Sequence, residues 1–103
     1  MTAQKIVWQA HENGDYSLSG ALNRDTVPDL WQNRQNWMPQ QETVRIDLAE
    51  LARIDSAGMV MLLHLIQQLQ QAGSTVSLCH VPQQLMTLLR LSHVESMFTA
   101  CME

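Results

Sequence analysis

The stretch RIDSAGMVMLLHLI, residues 53–66, joins the end of a strand, a tight turn and the start of an apolar helix. Asp55 and Ser56 both suit the helix N-cap, where a side-chain oxygen accepts a hydrogen bond from a first-turn backbone N–H. The pattern predicts that one of them caps a helix over residues 57–72. Gly58 lowers helix propensity in the first turn, which indicates either a close backbone approach or a local packing requirement.

The predicted helix has two different faces. With successive residues about 100° apart, one apolar face is expected to pack on a sheet, and it comprises Met59, Leu62, Leu63, Ile66 and Leu69. Val60, Met61 and His64 are predicted on the outer side of the first two turns. A helix that needed only core contacts would be polar there, so these residues indicate a surface for a partner protein. The alternative is that another helix of the same domain covers them.

Strands are predicted on both sides of this helix. TVRIDLAEL (43–51) alternates apolar and polar residues, and TVSLCHV (75–81) follows Gly73, which ends the helix. A strand, a helix and a strand at this spacing form a βαβ unit. Strands 43–48 and 75–80 are therefore predicted to be parallel.

The other segments complete a single domain, residues 1–103. The turn NGD (13–15) between KIVWQAHE and YSLSG predicts a hairpin. TVPD (26–29) predicts a threonine-capped helix whose apolar stripe, including the tryptophans, is expected to be core. Pro82 opens a further helix, and the last residues are predicted to be a short helical turn and a frayed tail. The order β-β-α-β-α-β-α predicts an α/β fold, a small mixed sheet with helices packed mainly on one face.

The composition limits the partners and the compartment. The chain is 46% hydrophobic and 16% charged, with a formal net charge of −4, which is typical of a globular domain. Its Lys and Arg residues are scattered, which argues against nucleic acid, because binding phosphates needs clustered cations. No apolar run is long enough for a signal peptide or a membrane span. We therefore expect a cytoplasmic protein in which Cys79 and Cys101 form no structural disulfide.

No catalytic, cofactor or metal site is predicted. The histidines are His11, His64, His80 and His93, and none forms a recognisable nucleophile–base pattern with a serine or cysteine. The sequence has no glycine-rich phosphate loop of the G-x-x-x-x-G-K type. Cys79 and His80 are adjacent in a predicted strand and should point to opposite faces, a poor arrangement for metal ligands. The sequence favours a binding protein over an enzyme.

With these features the chain resembles the STAS domain family, whose members are small α/β modules and include bacterial anti-sigma factor antagonists. The resemblance covers nearly the whole chain, through SLSGALN (17–23), VRIDLAELARIDSAGMVMLLHLI (44–66) and LLRLSHV (88–94). The serine of D-S-[AST]-G is phosphorylated in those antagonists, and the resemblance implies Ser56 as the matching residue. A phosphate there would add about two negative charges beside the apolar outer side of the helix, which could switch a partner interface.

A closer resemblance is to the STAS subunit of an ABC system that transports phospholipids in Gram-negative cells. It rests on LSGALNRDTVPDLW (18–31), IDLAELARIDSAG (46–58) and LLHLI (62–66). It implies a non-catalytic protein that binds the cytoplasmic ATPase beneath a membrane permease and supports outer-membrane lipid asymmetry. Such a protein would be peripheral at the inner membrane through its partner, without inserting into the membrane. This group is expected to carry Thr-Gly where this chain has Ser56 and Ala57.

The predicted partner-binding residues are Asp55, Ser56, Gly58, Val60, Met61 and His64. The alternative function is an anti-sigma factor antagonist that binds a serine kinase and is regulated by phosphorylation of Ser56. Direct lipid binding inside the domain is a third alternative and the least favoured one, because nothing in the sequence requires a cavity.

Overall fold

The computed structural model describes residues 5–102, which form a mixed α/β domain. The strands are β1 Ile6–Ala10, β2 Asp15–Leu22, β3 Thr43–Asp47, β4 Leu51–Ile54 and β5 Thr75–Cys79. The helices are α1 Val27–Gln32, α2 Arg34–Trp37, α3 Ser56–Gln71, α4 Gln83–Leu91 and α5 Glu95–Thr99. None of these described helices is both long and apolar enough to cross a membrane.

The sheet has the predicted mixture of parallel and antiparallel pairs. β1 and β2 form the predicted antiparallel hairpin, with Trp8 opposite Leu18. β3 lies between β2 and β5 and is parallel to both, which confirms the βαβ prediction. β4 pairs in parallel with the last residues of β2, after a register shift between Gly20 and Ala21. The carboxyl ends of the four parallel strands therefore point the same way.

The helices pack mainly on one face of this sheet, as predicted. Alternate residues of the central strands point into the core and are buried, namely Tyr16, Leu18, Val44, Ile46, Val76 and Leu78. From α3, the fully buried side chains include Leu62, Leu65, Ile66 and Leu69. Burying each of these large aliphatic side chains stabilises the fold by roughly 1.5–3 kcal/mol. The intervening strand residues are polar and less buried, as Ser17, Arg45 and Ser77 illustrate.

Two elements are divided where the sequence predicts one. The strand predicted over 43–51 ends at Asp47 as β3, where the Asp47 carboxylate accepts a hydrogen bond from the Ala49 N–H at 2.8 Å, and a separate strand, β4, begins at Leu51. The helix predicted after Thr26 is interrupted at Asn33, giving α1 and α2. Neither of these short helices contains a fully buried residue, so their apolar stripe lies at the margin of the core.

The C-terminal segment is packed rather than frayed. Phe98 and Cys101 are buried. The Leu78 N–H, on the outer edge of β5, donates to the Cys101 carbonyl at 2.7 Å, and Leu78 also bridges to Met102. The last described residues thus extend the sheet beyond β5.

The prediction that Cys79 and His80 point to opposite faces is wrong. β5 ends at Cys79, and His80 has a left-handed backbone with φ of +55°. This turn breaks the strand alternation on which the prediction depended. It brings His80 Nδ1 within 3.0 Å of Asp47 Oδ1, at the end of the neighbouring strand β3.

Candidate functional site

Asp55 fixes the start of α3. Its side chain is the N-cap, because Oδ1 accepts a hydrogen bond from the Gly58 N–H at 3.1 Å. Its Oδ2 accepts from the Arg24 N–H at 3.1 Å, and its own N–H donates to the Leu22 carbonyl at 3.2 Å. Of the two caps left open by the sequence, the structure selects Asp55, and Ser56 is the first residue of the helix. Asp55 therefore joins α3 to the loop that follows β2.

Gly58 allows α3 to approach the strands closely. A Cβ atom at this position would lie 2.4 Å from the Leu22 carbonyl oxygen and 2.9 Å from Ile54 Cγ1. Any larger residue would push the first turn of α3 away from the ends of β2 and β4. The sequence left a close backbone approach and local packing open, and both apply here. Gly58 is buried, so it contributes to the site by positioning the first turn of α3 rather than by contacting a partner.

Three predicted contact residues form one exposed stripe along α3. Ser56, Val60 and His64 are exposed, and Val60 has 44% of its surface accessible. Their four-residue spacing places them on successive turns of one helix face. Leu63, predicted to face the sheet, is only partly buried. We call Ser56, Val60, Leu63 and His64 the α3 surface.

Met61 does not belong to this surface. Its predicted position on the outer side is wrong, because Met61 is only 3% exposed and is part of the core. The error arises because α3 contacts α1 and α4 as well as strands β4 and β5. Neighbours on several sides bury a wider arc of the helix than a sheet alone would. A substitution of Met61 would therefore test folding rather than partner binding.

Helices α1 and α2 extend the α3 surface through Trp31 and Arg34. The Trp31 ring lies 6.4 Å from the His64 ring, centroid to centroid, and the Arg34 guanidinium lies 4.6 Å over the Trp31 ring. Arg34 Nη1 also donates to the Trp31 carbonyl at 3.0 Å. The sequence predicted the tryptophans of this stripe to be core, whereas Trp31 packs against the core and is only partly buried. Arg34, three residues further along the chain, was the signal that this side of the helix reaches solvent. Aromatic residues and arginine are enriched in protein interfaces.

The fold is that of a STAS-type domain. It is similar to the crystal structure of an anti-sigma factor antagonist from Mycobacterium paratuberculosis, with a TM-score of 0.69 and 18% identity. That comparison covers 93% of this chain and 83% of the other chain. At this identity, the similarity supports the fold alone.

The sequence identifies the family within this fold. The STAS_2 family, described as "Mlab, STAS domain", matches residues 9–99, and the chain belongs to this family. The intermembrane phospholipid transport system binding protein MlaB of Escherichia coli (strain K12) is 32% identical over 90 residues, covering 86% of this chain and 89% of that protein. The MlaB protein of Haemophilus influenzae is 33% identical over 88 residues, covering 79% and 84%. The predicted resemblance to STAS domains and to MlaB is thereby confirmed.

Proposed function

We propose that this chain is the STAS subunit of an Mla-type phospholipid transport system and binds the cytoplasmic ATPase of that ABC complex. The observation that carries the proposal is the similarity to MlaB proteins over most of both chains, since those proteins are named for intermembrane phospholipid transport. In this role the chain supports assembly and activity of the ATPase and is itself non-catalytic. It lies in the cytoplasm, peripheral to the inner membrane through the ATPase and its permease.

The α3 surface is the proposed contact for the ATPase. Val60 and Leu63 supply apolar area, while the neighbouring Trp31 and Arg34 supply an aromatic ring and a guanidinium. Such side chains anchor protein interfaces when a partner excludes water from around them. Asp55 and Gly58 act from beneath by fixing where the first turn of α3 stands. Met61, predicted from the sequence to contact the partner, is buried and is not part of this contact.

The proposal is tested by purifying the tagged full-length protein from detergent-solubilised native cells and identifying its partners by mass spectrometry. The wild type should retain an ABC ATPase together with a membrane permease. Val60→Glu should lose both, because an unpaired carboxylate would be buried at the interface, and binding should weaken at least tenfold, or about 1.4 kcal/mol.

Leu91→Glu is the matched control for this experiment. Leu91 is 74% exposed on α4, outside the α3 surface, so the same chemical change there should leave the ATPase bound. Circular dichroism and thermal melting should show both variants folded. If Val60→Glu retains the ATPase as well as Leu91→Glu does, the α3 surface is not the contact.

A second candidate function is that of an anti-sigma factor antagonist regulated at Ser56. It is supported by the exposure of Ser56 at the start of α3 and by the fold similarity to an antagonist. The same purification would then recover a soluble serine kinase in place of the ATPase. Incubation with that kinase and ATP would phosphorylate the wild type, whereas Ser56→Ala would remain unmodified. Failure to modify the wild type would exclude this function.

A further inference from the structure

We propose that Asp47, Cys79 and His80 form a binding site for a zinc ion. Their candidate ligand atoms, a carboxylate oxygen, a thiol sulfur and an imidazole nitrogen, all lie within 4.8 Å of one another. Zinc accepts all three ligand types, and three protein ligands leave a fourth position for water or another donor. This site does not depend on the proposed function, because it uses none of the residues of the α3 surface.

The fold brings the three residues together from two adjacent strands. Asp47 and Cys79 are register partners at the carboxyl ends of the parallel strands β3 and β5. His80 then leaves the strand through its left-handed backbone, with φ of +55°, and its ring meets Asp47. Non-glycine residues adopt this conformation rarely. Here it places the His80 imidazole beside the Asp47 carboxylate and the Cys79 thiol. Continued strand alternation would have turned the imidazole to the other face of the sheet.

The observed spacing is close to that of a tetrahedral zinc site. Zinc bonds of about 2.0–2.1 Å to nitrogen and oxygen, and about 2.3 Å to sulfur, hold neighbouring ligand atoms about 3.3–3.6 Å apart. His80 Nδ1 and Asp47 Oδ1 are 3.0 Å apart, and the whole set spans at most 4.8 Å. Side-chain rotations that move the ligand atoms by a few tenths of an ångström to about one ångström therefore reach the bound geometry.

The three side chains are buried to different extents. This pattern fits a set of metal ligands better than it fits a reactive cysteine. Cys79 is 4% exposed, which hinders its approach to a substrate. The side chains of His80 and Asp47 are 66% and 40% exposed, so an ion could enter from their side. The thiol would then close the inner side of the site and the two exposed residues its outer side.

Local electrostatics supports the carboxylate ligand and also identifies one opposing charge. The pKa of Asp47 is lowered below its ordinary value, mainly because the carboxylate accepts a hydrogen bond from the Ala49 N–H. The deprotonated carboxylate is the form that binds a metal ion. The nearby Arg45 guanidinium also lowers this pKa, and its positive charge opposes a metal ion at the same place. Replacing Arg45 should accordingly strengthen binding.

The test is a zinc titration of the purified full chain after its affinity tag and any bound metal have been removed. Competition with a zinc-sensitive dye should show one saturable site per chain, and zinc should raise the melting temperature. Cobalt(II) should give the thiolate-to-metal absorption band of a cysteine ligand. Asp47→Asn and His80→Asn should each weaken zinc binding at least tenfold, and Arg45→Gln should strengthen it severalfold.

These substitutions are chosen so that the fold survives. Asparagine tolerates a left-handed backbone at position 80, and at position 47 its carbonyl can still accept from the Ala49 N–H. Cys79→Ser should abolish the cobalt band, whereas Cys101→Ser and His64→Asn are controls that should retain it. Equal zinc affinity of wild type and His80→Asn would overturn the proposal. A lack of saturable binding by the wild type, or a cobalt band lost only in Cys101→Ser, would do the same.

Discussion

The starts of α1 and α3 look alike in sequence and differ in structure. Each begins with a residue that suits an N-cap, Thr26 before α1 and Asp55 before α3. Asp55 does cap its helix, accepting from the Gly58 N–H. Thr26 makes no such bond, because its hydroxyl donates to the Ala21 carbonyl at 2.8 Å and accepts from the Asn23 N–H at 3.0 Å. Thr26 therefore fastens the preceding loop rather than the helix that follows it.

The difference shows that packing decides what a capping residue does. α3 is 16 residues long and buries seven of them, so its first turn is held in place and needs a partner for its amides. α1 is six residues long and buries none. Thr26 is itself 8% exposed, and a buried hydroxyl must satisfy its own hydrogen bonds first.

The largest expected effect comes from filling the space at the start of α3. Gly58→Ala should destabilise the protein by about 3 kcal/mol, the upper end for overpacking, because the new methyl would meet a backbone oxygen that cannot rotate away. Urea unfolding followed by circular dichroism measures this change. Gly73→Ala is the control, since no atom lies within 4 Å of that Cβ position and only its φ of +96° is unfavourable. Equal losses in the two variants would contradict the close approach of α3.

A smaller effect distinguishes the helix cap made by Asp55 from the loop hydrogen bonds made by Thr26. Asp55→Ala should cost about 1–2 kcal/mol and should speed hydrogen exchange at the Gly58 amide, because the cap is lost. Thr26→Val should cost about 1–3 kcal/mol by leaving the Ala21 carbonyl unsatisfied, and it should speed exchange at the Asn23 amide. Exchange at the first-turn amides of α1 should stay unchanged relative to Thr26→Ser, which retains the hydroxyl. Faster exchange there would make Thr26 a cap after all.

The smallest expected effect concerns Asp47, whose carboxylate stabilises a turn, whereas that of Asp55 caps a helix. Its pKa is lowered chiefly by the hydrogen bond from the Ala49 N–H, with smaller contributions from His80 and Arg45, while burial acts in the opposite direction. A lowered pKa means that ionised Asp47 stabilises the fold at neutral pH, and that this stabilisation is lost as the pH falls below 3.8 towards the folded-state pKa. The stability difference between wild type and Asp47→Asn should therefore shrink on acidification.

Repeating that measurement in a His80→Asn background isolates the backbone contribution. The pH dependence should persist there, because the Ala49 N–H is the largest cause of the lowered pKa. If the dependence disappears, the imidazole and not the turn controls the Asp47 pKa. Because Asp47 is partly exposed, solvent screens its interactions and the effect stays small.

Much of the framework was predictable because its signals are local. The NGD turn predicts the hairpin of β1 and β2, and the alternation in TVRID predicts β3. The D-S-x-G turn and the apolar run after it predict α3 and the exposure of Val60 and His64. In each case neighbouring residues contain the whole signal, either a turn type or a repeat along one element.

The remaining features depend on contacts between distant segments. Met61 is buried because α1 and α4 flank α3, and its position on the helix alone could not reveal those neighbours. β4 is a separate strand because Asp47 accepts from Ala49 and because β2 extends far enough to pair with it. The zinc ligands likewise meet through strand register and one left-handed residue, His80, which strand alternation does not anticipate.

The C-terminal cover of β5 also bears on self-association. A strand edge with unpaired amides is a template on which another chain can add a strand, and repeated addition leads to aggregation. On β5, the Leu78 amide is already occupied by the Cys101 carbonyl at 2.7 Å. A second chain would have to displace this segment, together with the buried Phe98 that anchors it. The C-terminal segment thus covers this edge of the sheet at Leu78, where strand addition would otherwise begin.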